Sequence, residues 1–190
     1  GIPASLQMMV VSLAGVFILS LVNTFGTDVT AAFGIGMQVD MLATIPMISI
    51  GMAATSIAAQ NLGAKKIERV SETLRMSICF GLAIACVCTL ILIVFPHHIG
   101  AAFLKESAER ERVLYFVSGY YRWIAYIFPC FAFTFAIQGV LRSAGDTLAL
   151  LILSFIALIV VRIPLAYLLS GPLGFRQEGI WIAMLVSSVL

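Results

Sequence analysis

Asp40 is an acidic residue set deep inside an apolar stretch, about ten residues into the run from Ala31 to Ala59. A carboxyl removed from water is costly unless it is protonated, paired or facing a wet cavity. Its chemistry there would be to hold a proton or to attract a cation. Thr44 lies one turn further along the same helical face and is the expected local partner. Gln38, two residues before Asp40, points elsewhere. Asn23 and Gln138 are uncharged polar residues near the ends of apolar runs, placed to line a cavity or to bond between helices. Arg162, in Val160-Val161-Arg162-Ile163-Pro164, is expected to snorkel to the nearer membrane surface, with pairing to an acid in the bundle as the alternative.

Other chemistries find little footing. His97 and His98 follow Pro96 with no convergent ligands nearby. Cys79, Cys86, Cys88 and Cys130 lie in apolar stretches without metal-binding spacing and are expected to pack as small apolar residues. There is no nucleophile elbow, zinc-protease motif or phosphate-binding loop, and Gly34-Ile35-Gly36 lacks the third glycine of a dinucleotide fingerprint. Neither an enzyme nor a bound cofactor or metal is expected.

The elements that must position Asp40 are written in the composition. Of 190 residues, 62% are hydrophobic and 11% charged, against about 25% charged in a soluble domain. The mean hydropathy is +1.10. A net charge of +2 without a basic stripe argues against nucleic acid. Runs of about 20 apolar residues are spanning helices, and they fall at Leu6–Phe25, Ala31–Ala59, Met76–Phe95, Val113–Leu141, Leu148–Leu169 and Gly179–Leu190, the last cut short. Breakers separate them: Gly26-Thr27-Asp28, Gln60 to Ala64, Pro96-His97-His98, Ser143 to Asp146 and Gly171 to Gly174. The expected fold is all-α, a single six-span transmembrane bundle over residues 1–190.

Several local features refine this expectation. The second run is long enough to need a bend, and Pro46 is the expected kink. Tyr120, Tyr121, Trp123 and Tyr126 around Arg122 are expected to mark the membrane interface. Ala32 with Gly36, Ala54 with Ala58, and Ser77, Gly81 and Ala85 are spaced for close helix packing. Gly63 is placed to take a positive φ at a helix end. Lys65 to Arg75 is patterned for a helix lying on the membrane surface, and Lys105 to Arg112 for a charged loop entering a helix. Lys65, Lys66, Arg69, Arg75 and Arg142 fall on one side, against Lys105, Arg110, Arg112 and Arg176 on the other. That balance leans toward residues 61–75 being cytoplasmic.

Gly1-Ile2-Pro3-Ala4-Ser5-Leu6-Gln7, Gly26 with Ala31-Ala32, Pro46, Gly51 and Gln60-Asn61-Leu62-Gly63-Ala64 together resemble the multidrug and toxic compound extrusion (MATE) family. So do Val140 to Thr147, Arg162-Ile163-Pro164-Leu165-Ala166-Tyr167 and Gly179-Ile180-Trp181. The Gly-Ile-Pro opening and the Arg-Ile-Pro-Leu-Ala-Tyr stretch resemble the second half of that family, helices seven to twelve. The resemblance implies a multi-pass protein of a bacterial plasma membrane that exports amphipathic, cationic small molecules in exchange for protons or sodium ions. It also implies a partner absent from this chain, an N-terminal six-helix half, and a cavity between two bundles that rock to alternate access. Some sodium-coupled members carry acids in their seventh and tenth helices. Leu6–Phe25 and Val113–Leu141 have none, so that site does not transfer, and coupling falls to Asp40 or to the other half. A flippase of lipid-linked precursors or a polysaccharide exporter is the alternative within transport. A non-transport membrane subunit is the alternative outside it.

Overall fold

Gly26, with φ of 102°, turns the chain between the first two helices. The computed structural model describes residues 2–104 and 109–189. Its helices are α1 (Ile2–Asn23), α2 (Thr27–Gly63), α3 (Ile67–Val94), α4 (Pro96–Phe103), α5 (Arg110–Ile124), α6 (Ile127–Ser143), α7 (Thr147–Phe155), α8 (Ile163–Ser170) and α9 (Arg176–Ser188). A π-helical stretch, Ile156–Arg162, joins α7 to α8. Four helical rods are long and apolar enough to cross a membrane: α1, α2, α3 and the continuous Thr147–Ser170. The α5 and α6 helices, bent by 50° at Ala125-Tyr126, meet the same criterion of length and hydropathy when taken together. With α9 the described residues form a polytopic all-α bundle. Large apolar side chains such as Met8, Val16, Phe17, Met41 and Leu90 are exposed on it, a surface that lipid rather than water covers.

Three expectations about elements change, those for the positive φ after α2, for a surface helix over 65–75 and for a single fourth helix. The positive φ after α2 belongs to Lys65 (58°), because the helix runs through Gly63 before it turns. No separate surface helix forms over 65–75. Nothing between Arg75 and Met76 breaks a helix, so residues from Ile67 onward are the first turns of α3. The second run is one helix of 37 residues that continues through Pro46. Proline leaves the Leu42 carbonyl without its backbone donor, and nearby hydroxyls bond back to carbonyls, Thr44 to Asp40 and Ser49 to Ile45. The fourth run is two helices rather than one. Lys105, and with it the start of the charged loop before α5, lies outside the described residues.

The core is built on α2, which packs against α3, α5 and α6, while α8 packs on α9 and α1 on α7. The small residues do what their spacing suggests: Ala32, Gly36, Ala54, Ala58, Ser77, Gly81 and Ala85 are all buried. A Cβ on Gly81 would lie 3.1 Å from Ala132 Cβ on α6. Gly15 is different, since a Cβ there would have nothing within 4 Å. Gly15→Ala is therefore expected to hold or raise the melting temperature in detergent, because removing a mid-helix glycine is worth about 0.5–1 kcal/mol. A lower melting temperature would mean that this face of α1 is covered. The rod from α7 to α8 opens into π geometry immediately ahead of Pro164, whose ring and missing N–H disfavour α-helical pairing with the carbonyl four residues before.

Candidate functional site

Phe33, Gly36 and Asp40 share one face of α2, at the i, i+3 and i+7 positions of a helix. Tyr120 of α5 lies against that face. A Cβ on Gly36 would meet the Tyr120 ring at 2.5–2.9 Å, so only glycine lets the ring lie this close to the α2 backbone. From there the Tyr120 hydroxyl donates a hydrogen bond to Asp40 Oδ2. The neighbouring Tyr121 hydroxyl donates to the Gly36 carbonyl at 3.4 Å. Trp181 of α9 closes the group. Its ring stacks on Phe33 (5.4 Å, 14°) and meets Tyr120 edge-on at 4.9 Å. Tyr120 and Tyr121 have no exposed surface. The sequence suggested rings exposed at a membrane interface; these two are packed inside the bundle, because α5 turns both onto α2, whereas Tyr126 of the same cluster is exposed.

The other oxygen of the acid, Asp40 Oδ1, is buried and has no hydrogen-bond partner among the described residues. A buried polar atom without a partner is rare and calls for a physical reason, a bound proton or ion among them. The Thr44 hydroxyl donates to the Asp40 backbone carbonyl at 2.6 Å and not to the carboxyl. It partners the helix rather than the acid. Arg162 also departs from expectation. Its half-buried side chain finds a partner within the bundle, Nε donating to Ser187 Oγ of α9 at 2.7 Å. Arg162 is the last residue of the π-helical stretch.

Asn23 and Gln138 are not brought to this group. Asn23 is exposed and accepts from the Thr30 hydroxyl at 3.1 Å, ten residues or about 15 Å along α2 from Asp40. Gln138 bonds Arg142 at 3.4 Å. It sits beside Gly139, which packs on Gly51, also about 16 Å along α2 from Asp40. Sequence reasoning missed Tyr120, Trp181, Phe33 and Gly36. The Phe33–Gly36–Asp40 face was the available signal, since an acid one turn from a glycine marks a place where another helix can come near.

A cavity of about 480 Å³ opens beside this group, with Tyr121 and Trp181 in its wall. Tyr115, Phe116 and Tyr126 add aromatic faces, and Glu178 and Arg122 one charge of each sign. Its size is within the usual range for small-molecule sites, roughly 300–1,000 Å³. At the same end Arg112 pairs with Asp28 at 2.9 Å, tying the start of α5 to the start of α2. His97 and Glu111 approach to 3.7 Å, both exposed. Among the described residues no group of three or more His, Cys, Asp or Glu could hold a metal ion.

Known proteins agree with this architecture. The MatE family model matches residues 3–168. The chain is 33% identical over 184 residues to the probable multidrug resistance protein YpnP of Bacillus subtilis, covering 97% of this chain and 40% of that protein. It is 30% identical over 182 residues to the probable multidrug resistance protein YoeA of the same organism, covering 96% and 38%. A solved structure of a multidrug resistance MATE family transporter in an outward-facing conformation superposes on the whole chain with a TM-score of 0.90 at 20% identity, over 42% of its own length. The chain thus spans about two fifths of the length of these relatives. With the family model covering most of its helices in order, the chain belongs to the MatE family of membrane proteins.

Proposed function

We propose that this chain is one six-helix half of a secondary antiporter that exports amphipathic, cationic small molecules in exchange for protons, with Asp40 as the proton-carrying group. The observation that carries the reading is the Asp40 carboxyl itself. One oxygen is held by Tyr120 and the other is buried without a hydrogen-bond partner among the described residues, while the aromatic cavity is lined by their neighbours Tyr121 and Trp181 rather than by Asp40 itself. A proton needs one oxygen. A sodium ion needs several, commonly supplied by unwound backbone carbonyls. Here α2 runs unbroken through Asp40, the Gly36 carbonyl accepts from Tyr121 and the Asp40 carbonyl accepts from Thr44. The aromatic walls and Glu178 suit an organic cation, which binds ring faces within about 6 Å of their centres. The inward turn of Arg162 favours the second reading, export of an anionic lipid-linked precursor, but it is a single cation bonded to Ser187.

Reconstitution separates these readings. In liposomes, this chain together with its N-terminal half is expected to exchange a cationic dye for an imposed pH gradient, and this chain alone is expected to do nothing above empty liposomes. Equal exchange driven by a sodium gradient at uniform pH would overturn the proton assignment. Dye flux from this chain alone would overturn the half-transporter assignment, and selective movement of an anionic lipid would favour the second reading.

A further inference from the structure

We infer that Trp181 is a positioning residue that couples the cavity to Asp40. An aromatic cation bound against its ring holds the Tyr120 hydroxyl on the carboxylate and so favours loss of the proton. The inference rests on the reading of Asp40 as the proton-carrying group and of the cavity as the cation site.

Asp40 does not itself line the cavity, so exchange of proton for substrate needs a physical link between the two. Trp181 supplies one. It stands in the cavity wall, yet only 2% of it is exposed. Its ring stacks on Phe33 of α2 at 5.4 Å and meets Tyr120 edge-on at 4.9 Å. Tyr120 in turn fills the Gly36 notch and donates to Asp40 Oδ2. The path from cavity to acid is therefore two buried side chains long. The start of α9 is fixed on the end of α8, because a Cβ on Gly179 would lie 2.6 Å and 2.7 Å from backbone atoms of Leu169 and Ser170. Interiors packed this closely pass a displacement on instead of absorbing it.

A donor to a carboxylate favours its charged form. While an occupant holds Trp181 against Tyr120, the hydroxyl stays on Oδ2 and the proton leaves Oδ1 for water. With Asp40 protonated the hydroxyl is held less tightly, Trp181 is freer, and the cavity binds its cation less well. Linkage requires that reciprocity, and it is the mutual exclusion an antiporter needs. Among the described residues the titratable side chain bonded to Asp40 is Tyr120, with Tyr121 beside it on α5. The helices α1, α3, α4 and α6 also pack on α2, but none of their described side chains forms a hydrogen bond or ion pair with this acid. The Arg112–Asp28 pair lies twelve residues away, about 18 Å along α2. Arg162 is bonded to Ser187, and Arg122 and Glu178 stand in the cavity wall.

The test measures ethidium binding to the complete transporter in detergent at about pH 5 and about pH 9, limits that bracket most buried carboxyls. The unchanged protein is expected to bind about fivefold or more tightly at the higher pH, the lower end of couplings between sites. Trp181→Leu and Tyr120→Phe, which break the path at its two ends, are each expected to bring that ratio to about one, and their combination to change it no further. Tyr120→Phe keeps the ring and lies outside the cavity wall, so it carries the test if Trp181→Leu does not accumulate. Tyr115→Leu and Glu178→Gln alter the wall without touching the path, and are expected to weaken binding at both pH values with the ratio kept. A ratio of about one in the unchanged protein overturns the inference, and so does a full ratio in Trp181→Leu or Tyr120→Phe. Loss of the ratio in Glu178→Gln also overturns it, by assigning the pH dependence to that carboxyl. Asp40→Asn separates the readings beneath. A ratio that survives Asp40→Asn sinks Asp40 as the proton carrier, and binding untouched by both wall variants sinks the cavity as the cation site. A ratio lost in Asp40→Asn but kept in Trp181→Leu sinks only the role of Trp181.

Discussion

Asp40→Asn is expected to reduce pH-driven efflux of cationic dyes by about two orders of magnitude in the complete transporter, because it removes the exchangeable group and not merely a contact. Membrane abundance is expected to stay near that of the unchanged protein. Asparagine keeps the shape of the side chain, and its carbonyl oxygen still accepts from Tyr120 as Asp40 Oδ2 does. The new amide takes the place of Oδ1, an atom that already lacks a protein partner, so the folded state loses little hydrogen bonding. Residual transport by the variant should also lose its dependence on the pH gradient. If Asp40 serves only to hold α5 against α2, the pattern inverts: abundance and melting temperature fall, while transport per folded molecule is kept. Quantitative blotting together with dye efflux distinguishes the two outcomes.

The largest effect on stability is expected from Gly139→Ala. A Cβ there would lie 2.5 Å from the Gly51 carbonyl oxygen and 3.1 Å from Ala54 Cβ. The approach is reciprocal, since a Cβ on Gly51 would lie 2.8 Å from the Phe135 carbonyl oxygen. The atoms met are two backbone carbonyl oxygens and the Cβ of an alanine, so no flexible side chain can swing aside, and α2 and α6 must separate. Close helix approach over small residues is a main source of association within a membrane, where the hydrophobic effect between helices is absent. Overpacking of this kind costs about 1–3 kcal/mol, or roughly 2–12 °C in melting temperature for a chain of this size. Thermal unfolding in detergent measures it, with Gly15→Ala as the open-space comparison. An unchanged melting temperature for Gly139→Ala would mean that α2 and α6 are not in backbone contact.

Spans and their ends are local properties, and the sequence alone determines them well. A bilayer demands about 20 apolar residues per helix, and glycine and proline act on their own backbone. The turns at Gly26, after Gly63, at Pro96, at Gly145 and at Gly171 therefore fall where the residue types place them. The small-residue faces of α2 and α3 were legible for the same reason, since spacing along one helix defines a face. The family was legible too, because its motifs are contiguous. What no local pattern holds is which faces meet. Asp40 was visible as a costly acid, but its partner lies 80 residues away, and the nearer Thr44 turned to the backbone instead. Tyr120 and Tyr121 carry the composition of a membrane interface, and Arg162 that of a snorkelling end. The tertiary structure buries the two rings and turns the guanidinium inward. It does so because the Gly36 notch admits a ring and because α9 brings the Ser187 hydroxyl to Arg162. Burial and partnership are decided by packing between elements distant in sequence, and only the assembled bundle specifies them.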